Sequence, residues 1–437
     1  MTTRLFTLVV LASLVAGCLR KDNPNYCPGL NANNNCAEGD AGVRSCTENS
    51  QCSAPAPICD VQAQTCVQCT TAQPAACTGA TPICGPDERC RGCASHLDCP
   101  VSNVCRPDGA CADPGEVAYV SVPGGTDNPM CTLAMPCTKI MKALGTNRAY
   151  LKLRGMIDEA VTIEDRSVTL LADPGTVLTR NMMGNILTID GSSNVRVYDL
   201  AINGASGNGA GVSLSIGGNQ IVTLSHVSMS ENNGMNGAIA VFGGTINISR
   251  SQIFNNMGGG ISVSMAEFDI ENNFITRNGG IRAYGGILLN QTDSGSRILA
   301  FNTISGNSNN GLQNTASGVL CSLVSRELII SNNIIYGNTV GLGAQVAGNA
   351  CSWTYSDIGP GEDIPGSGNL NRDPMFAPGD FHLENTSQLI DKADPNATLN
   401  LDIDGDSRPQ NGRRDIGADE YVPSRGAATG HTMTADR

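Results

Sequence analysis

Charge is scarce in this sequence and aromatic residues scarcer: 15% of its 437 residues are Asp, Glu, Lys or Arg, and 4% are Phe, Trp or Tyr. The chain is nonetheless too apolar to remain disordered and too polar for a membrane protein, so it should fold. No run of Lys or Arg offsets the formal charge of −13. The footprint of a nucleic-acid partner is therefore missing, and neutral or metal-bridged partners fit better. Histidine is rare too: His96, His226, His382 and His431 are too scattered along the chain to propose a cluster.

What is present begins at the N-terminus. Arg4 precedes an apolar run from Leu5 to Gly17, too short to span a bilayer but suited to the apolar region of an export signal. The run ends in "LVAGC", which resembles the lipobox of bacterial lipoproteins. That resemblance implies cleavage after residue 17, lipid on Cys18, and a membrane partner through the lipid anchor. Leu19, rather than an aspartate, follows that cysteine. By the same resemblance, the expected location is the cell envelope, at the outer membrane or cell surface.

Removing Cys18 from the 19 cysteines leaves an even number in an oxidising compartment. Twelve of them form three sets of four: Cys46, Cys52, Cys59, Cys66; Cys69, Cys77, Cys84, Cys90; and Cys93, Cys99, Cys105, Cys111. "APICD" at 56–60 returns as "TPICG" at 81–85, the mark of a duplicated unit of about 24 residues. So small a unit buries little core and needs covalent staples. Zinc at the CxxC pairs is the rival reading. Even spacing through all twelve cysteines, with only His96 nearby, favours disulfides, whose connectivity within each set stays open among three arrangements. Residues 1–17 are thus assigned to the signal, 18–45 to a polar tether and 46–111 to the three modules.

Within the domain assigned to 115–425, an eleven-residue frame repeats from Val195 onward, with set residues at offsets one, three, six, eight and eleven. It reads Val222, Leu224, Val227, Met229, Asn232; then Ile246, Ile248, Ser251, Ile253, Asn256; then Phe268, Ile270, Asn273, Ile275, Asn278. Arg297, Leu299, Asn302, Ile304, Asn307 and Leu328, Ile330, Asn333, Ile335, Asn338 follow. An earlier copy, Val195, Val197, Leu200, Ile202, Ala205, lacks the last asparagine. Successive eighth positions (202, 229, 253, 275, 304, 335) are 27, 24, 22, 29 and 31 residues apart, one coil per step. Alternating apolar residues mean short strands with one face inward, and a break near offsets four to six shifts the phase. Glycine-rich stretches such as "NNMGGGISVSM" then supply a turn and a third strand. The fold class is all-β, a right-handed parallel β-helix solenoid preceded by a small disulfide-rich region.

Asparagines at one corner of stacked coils can donate to one neighbour and accept from the other, satisfying turn backbone. Asn232, Asn256, Asn278, Asn307 and Asn338 are therefore read as a structural ladder. Cys321 and Cys351 follow their frames' last asparagines by 14 and 13 residues, which places them alike on adjacent coils and predicts a disulfide. Cys131 and Cys137 enclose a small loop, after which Ile140, Met141 and Leu144 are expected on the buried face of a short helix plugging the first coil.

Residues 115–425 resemble the parallel β-helix repeat proteins of the pectate-lyase-like superfamily. The stretches "DPMFAPGDFHLENTSQLIDKADP" and "LDIDGDSRPQNGRRDIGADEY" resemble the C-terminal segment of cell-surface β-helix proteins with a choice-of-anchor domain. The resemblance implies fold rather than activity. In many enzymes of this fold the working groups project from the strand after the glycine turn. Here the outward positions include Ser213, Ser215, Ala240, Ser262, Ser264 and Leu288, with no charge among them.

Beside that face lie Asp269, Glu271, Arg277, Arg282, Tyr284 and Arg297. Arg277, Arg282 and Tyr284 could line a cleft for an acidic sugar, with a desolvated arginine as base. The duller explanation is exposed charge on loops. "DIDGD" spaces Asp402, Asp404 and Asp406 like the opening of a Ca²⁺ loop. Arg413 stands where the closing glutamate should be, so Asp415, Asp419 or Glu420 would have to complete the cage. The alternative pairs these acids with Arg408, Arg413 and Arg414 in a C-terminal cap. No cofactor is required, with Ca²⁺ as the candidate ion, and residues 426–437 read as a loose tail. The sequence favours a surface lipoprotein that recognises polysaccharide or another extended polymer without catalysis. A polysaccharide lyase or glycoside hydrolase, and a structural envelope protein, are the alternatives.

Overall fold

The computed structural model describes residues 45–292, 295–311, 315–324, 326–339, 343–348 and 350–423. The export signal, Cys18, the tether through residue 44 and the tail 426–437 lie outside the described residues. The chain divides into two compact units, the first running to Cys99 and including Cys105–Cys111, the second comprising Pro100–Val104 and everything from Ala112. The loop inside the third cysteine module thus belongs to the second unit. There Val104 is fully buried with Val117, Tyr119 and Leu171, and the Tyr119 hydroxyl donates to the Ser102 carbonyl at 2.5 Å.

In the first unit each module bonds its first cysteine to its third and its second to its fourth. The pairs are Cys46–Cys59 and Cys52–Cys66, Cys69–Cys84 and Cys77–Cys90, Cys93–Cys105 and Cys99–Cys111. With all twelve sulfurs bonded, none is left as a thiolate for zinc. Two modules carry a short antiparallel hairpin, Ile58–Asp60 with Thr65–Val67 and Ile83–Cys84 with Cys90–Arg91.

The second unit is an all-β parallel solenoid. One side is an eight-stranded sheet from Val161–Glu164 to Ala344–Ala347; the rest is an eighteen-stranded sheet made of two adjoining ladders. One ladder stacks Asn194–Tyr198, Ile221–Ser225, Thr245–Ser249, Glu267–Glu271 and Arg297–Ala300 in register. The other stacks Ala201–Asn203, Ser228–Ser230, Gln252–Phe254, Phe274–Thr276 and Thr303–Ser305. Offsets one, three and eight of the repeat fill a continuous aliphatic core, except that Arg297 reaches out to the Thr292, Arg326 and Glu327 carbonyls.

Two bends per frame turn the chain. The fifth offset is left-handed in seven successive coils: Asp199, His226, Arg250, Asn272, Phe301, Asn332 and Tyr355, with φ between 46° and 61°. The tenth is left-handed at Gly204, Glu231, Asn255, Arg277, Gly306 and Gly337. Each bend points the next side chain inward, so offset six buries Leu200, Val227 and Ser251 and then Asn273, Asn302 and Asn333, and offset eleven buries Ala205 and then asparagines. From the eleventh offsets comes the expected ladder: Asn232 donates to Asn256, Asn256 to Asn278, Asn278 to Asn307, Asn307 to Asn338 and Asn338 to Gln345, at 2.8–3.0 Å. From the sixth comes a second that the sequence reading did not assign, Asn273 to Asn302 to Asn333, at 2.9–3.0 Å. Ser251 and Ser356 extend it by backbone contacts at the two ends. At the third corner the chain passes so close to the next coil that a Cβ on Gly286 would lie 2.6 Å from the Gly318 carbonyl, so only glycine fits.

Three expectations are corrected. In the helix Ile140–Leu144 the buried residues are Ile140, Ala143 and Leu144, while Met141 is exposed, because i, i+3 and i+4 share a face and i+1 does not. Cys321 and Cys351 are bonded with Cα atoms 6.4 Å apart, but not at equivalent places. Cys321 lies in the eight-stranded sheet and Cys351 opens a strand of the other sheet, so the bond crosses a corner. Residues 367–370 stack on the last coil, where the Tyr355 and Ile358 N–H groups donate to the Ser367 and Leu370 carbonyls at 2.8 and 2.9 Å and Asn369 accepts the Ser356 N–H at 3.1 Å. The rest of the C-terminal segment does not cap that coil. It runs back along the flank, meeting Arg250, Asn272, Phe274, Phe301, Thr303 and Asn332, while Ile364 packs against the core end.

Candidate functional site

The outward positions of the eight-stranded sheet carry no charge in the middle coils, and they differ in exposure: Ser213, Ala240, Ser264 and Leu320 are buried, while Phe242, Ser262, Leu288, Asn290 and Ser322 are half-buried. In one register row stand Ser213, Ala240, Ser262, Leu288 and Leu320, and beside them run Phe242, Ser264, Asn290 and Ser322. Charge enters only in the first coils, where Glu164 faces Asp190. Hydroxyls, amides and aliphatic carbon alternate there, without an acid, a base or a nucleophile activated by one.

The proposed cleft residues are not all brought together. Arg277 lies over the Phe381 ring of the C-terminal segment, 5.1 Å from its centroid. Tyr284 is buried beside Ala316 and Leu320, in the Cβ space of Gly259, and burial pushes its phenol pKa up against the pull of Arg282 and Ser262. Arg282 and Tyr284 are thus neighbours, whereas Arg277 serves a different contact. Glu267, Asp269 and Glu271 project side by side from one strand of the eighteen-stranded sheet. Burial pushes Glu271 up to about 7, with Asp269 adding repulsion, and burial raises Asp269 as well.

The flank holds the densest set of ionisable groups. Asp402, Asp404 and Asp406 bring carboxylate oxygens within 4.8 Å of one another, and so do Asp404 and Asp419 with a His382 nitrogen. His382 is the residue sequence reasoning missed. No spacing signal links it to "DIDGD"; chain return along the flank makes the contact. Its Nδ1 faces Asp380 at 2.7 Å and its Nε2 faces Asp404 at 2.8 Å. Burial opposes the imidazolium, but hydrogen bonds to Asp380 and Asp404 outweigh it and hold the pKa up at about 11. Phe274 meets the imidazole edge-on at 5.1 Å.

These contacts test the fit of Ca²⁺. Asp402 Oδ1 accepts the N–H groups of Asp404 and Asp406 at 2.9 and 2.8 Å, and its Oδ2 accepts that of Glu420 at 3.0 Å. The Arg250 guanidinium lies in the field of Asp402, Asp404 and Asp406 and donates to the Ile403 carbonyl at 3.2 Å. Imidazolium and guanidinium therefore supply the positive charge, and a cation would have to displace His382 from Asp404. The pairing expected in its place also differs. Buried Arg408 pairs with Glu420 at 3.2 Å, but Arg413 and Arg414 donate to the carbonyls of Ala393 and Leu399. Asp415 spends its oxygens on the N–H groups of Asp391 and Tyr421, each at 2.7 Å, so it completes no cage with Asp402.

The second unit is thus a parallel β-helix whose flank is closed by its own C-terminal segment. No family model and no curated protein matches the sequence. Among solved structures, the crystal structure of pectate lyase Pel9A aligns with a TM-score of 0.47 at 14% identity, over 70% of this chain and 96% of that one.

Proposed function

We propose that the protein is an exported lipoprotein, anchored through Cys18 at the cell envelope, whose β-helix recognises polysaccharide without turning it over. The observation that carries this reading is the uncharged, half-buried group Phe242, Ser262, Leu288, Asn290 and Ser322 on the outward side of the eight-stranded sheet. It offers a long polymer hydroxyl partners and apolar contact, coil after coil, but no general acid or base. Turnover assays with neutral and acidic polysaccharides, with and without Ca²⁺, should give binding without new reducing ends or unsaturated products. Export and anchoring are tested by labelled fatty-acid incorporation, expected in the wild type and absent in Cys18→Ser.

A glycoside hydrolase is the second reading, favoured by the adjacent carboxylates of Asp269 and Glu271, one of them poised near neutrality. New ends abolished in Asp269→Asn/Glu271→Gln would establish that reading and sink the first. Unsaturated products lost in Arg282→Ala would do so in favour of a lyase.

A further inference from the structure

The flank also contains a pocket of about 400 Å³, lined by Leu370, Arg372, Ser387, Gln388, Ile390 and Lys392. Its volume falls within the ~300–1,000 Å³ usual for small-ligand sites. The lining has two cations and no carboxylate, in a chain with 27 basic and 40 acidic residues. Both cations are exposed, and neither belongs to an ion pair among the described residues. The acid bonded to this stretch, Asp357, is fully buried, with its Oδ1 on the Arg372 N–H at 2.8 Å. Burial pushes it up to about 7, against the pull of Arg372.

The geometry points to this pocket as a binding site for an anionic sugar unit, its negative charge a ring carboxylate or a sulfate ester. The inference rests on the polysaccharide reading above and places the charged part of the recognition on the flank, away from the uncharged group on the eight-stranded sheet. Arg372 offers a planar fork that matches a carboxylate or sulfate, and Lys392 adds a second positive charge. Leu370 and Ile390 provide the apolar surface on which the C–H face of a sugar ring can lie. Ser387 Oγ already accepts the Leu389 N–H at 3.2 Å, which directs its proton toward donation, and the Gln388 amide can do either.

The test titrates the full-length protein by calorimetry with hexuronate oligomers, sulfated oligomers and neutral oligomers of equal length, against wild type, Arg372→Ala/Lys392→Ala and Lys392→Arg. Binding of one anionic series, weakened tenfold or more in the double variant and largely kept in Lys392→Arg, is the expected result; which series binds identifies the anion. Equal melting temperatures exclude misfolding, since both side chains are exposed. Anionic binding untouched by the double variant would overturn the pocket and leave polysaccharide recognition standing. Neutral oligomers binding as tightly as anionic ones would overturn the ligand class, and silence from all three series would overturn both proposals.

Discussion

The cysteine modules and the β-helix solve one problem with opposite means. Residues 46–111 hold six disulfides, and most of their buried apolar residues are the half-cystines themselves. The β-helix has two, Cys131–Cys137 before the first coils and Cys321–Cys351 near the last, and relies between them on aliphatic stacking and amide ladders. A repeat with a neighbour on both sides can satisfy its corners through that neighbour. A bead of about 24 residues buries too little apolar surface even where Ile83 of one packs against the half-cystines of the next, and must be cross-linked.

The largest effect should therefore come from reduction. Each lost disulfide costs a small disulfide-stapled unit about 2–5 kcal/mol, so reductant should unfold the modules entirely. Limited proteolysis should then cut within residues 46–111 while the β-sheet circular dichroism of the solenoid persists. Collapse of both signals at one reductant concentration would break the comparison.

The next effect is internal to the coils. Asn278 Oδ1 accepts the Asn256 N–H and side-chain amide, and its Nδ2 donates to the Ile253 carbonyl and to Asn307, all buried. Asn278→Ala leaves those partners unsatisfied and should cost about 3 kcal/mol or more, measured by denaturant unfolding. A cost under about 1 kcal/mol would mean that stacking alone holds the corner.

The coils were legible because a solenoid writes its contacts into one period. Phe268, Ile270 and Ile275 align with Leu328, Ile330 and Ile335 in sequence before they align in space, and the glycine turns mark the third strand. The same regularity hid the second ladder. Asn273, Asn302 and Asn333 stand at the sixth offset, but Val227 and Ser251 interrupt the pattern earlier, so the eye follows the eleventh. The flank was not legible, since nothing periodic ties Arg250 to Ile403 or Asn332 to Asp394, more than 60 residues apart in each case. Likewise, His382 meets Asp404 only because two irregular stretches fold against one another.

That irregular flank should answer to pH where the modules answer to redox state. The His382 pKa is raised from 6.5 to about 11, so its contribution is fully present below pH 6.5 and is lost as pH rises toward 11. Burial raises Asp357, Asp415 and Asp419 to about 7, so their contributions are also lost with rising pH, between about 4 and 7. Melting temperature should decline on the alkaline side. His382→Gln should cost about 2 kcal/mol at pH 6 and flatten the slope above pH 6.5. An unchanged slope in the variant would remove His382 as its source.

The smallest predicted effect lies at the solenoid's open end, where the first coil has no preceding neighbour and neither amide ladder reaches. The helix Ile140–Leu144 covers it, with the Glu159 carboxylate accepting the N–H groups of Ile140 and Met141 at 2.6 and 3.2 Å. If burial alone fixes the helix, the exposed side chain should be dispensable. Met141→Ser should stay within about 0.5 kcal/mol of wild type. Ile140→Ala, by contrast, opens a cavity in the core and should cost about 2–5 kcal/mol. A large loss from Met141→Ser would restore the face first read from the sequence, with Met141 toward the coil, and would mean that the end of the solenoid is closed by a helix turned about its own axis.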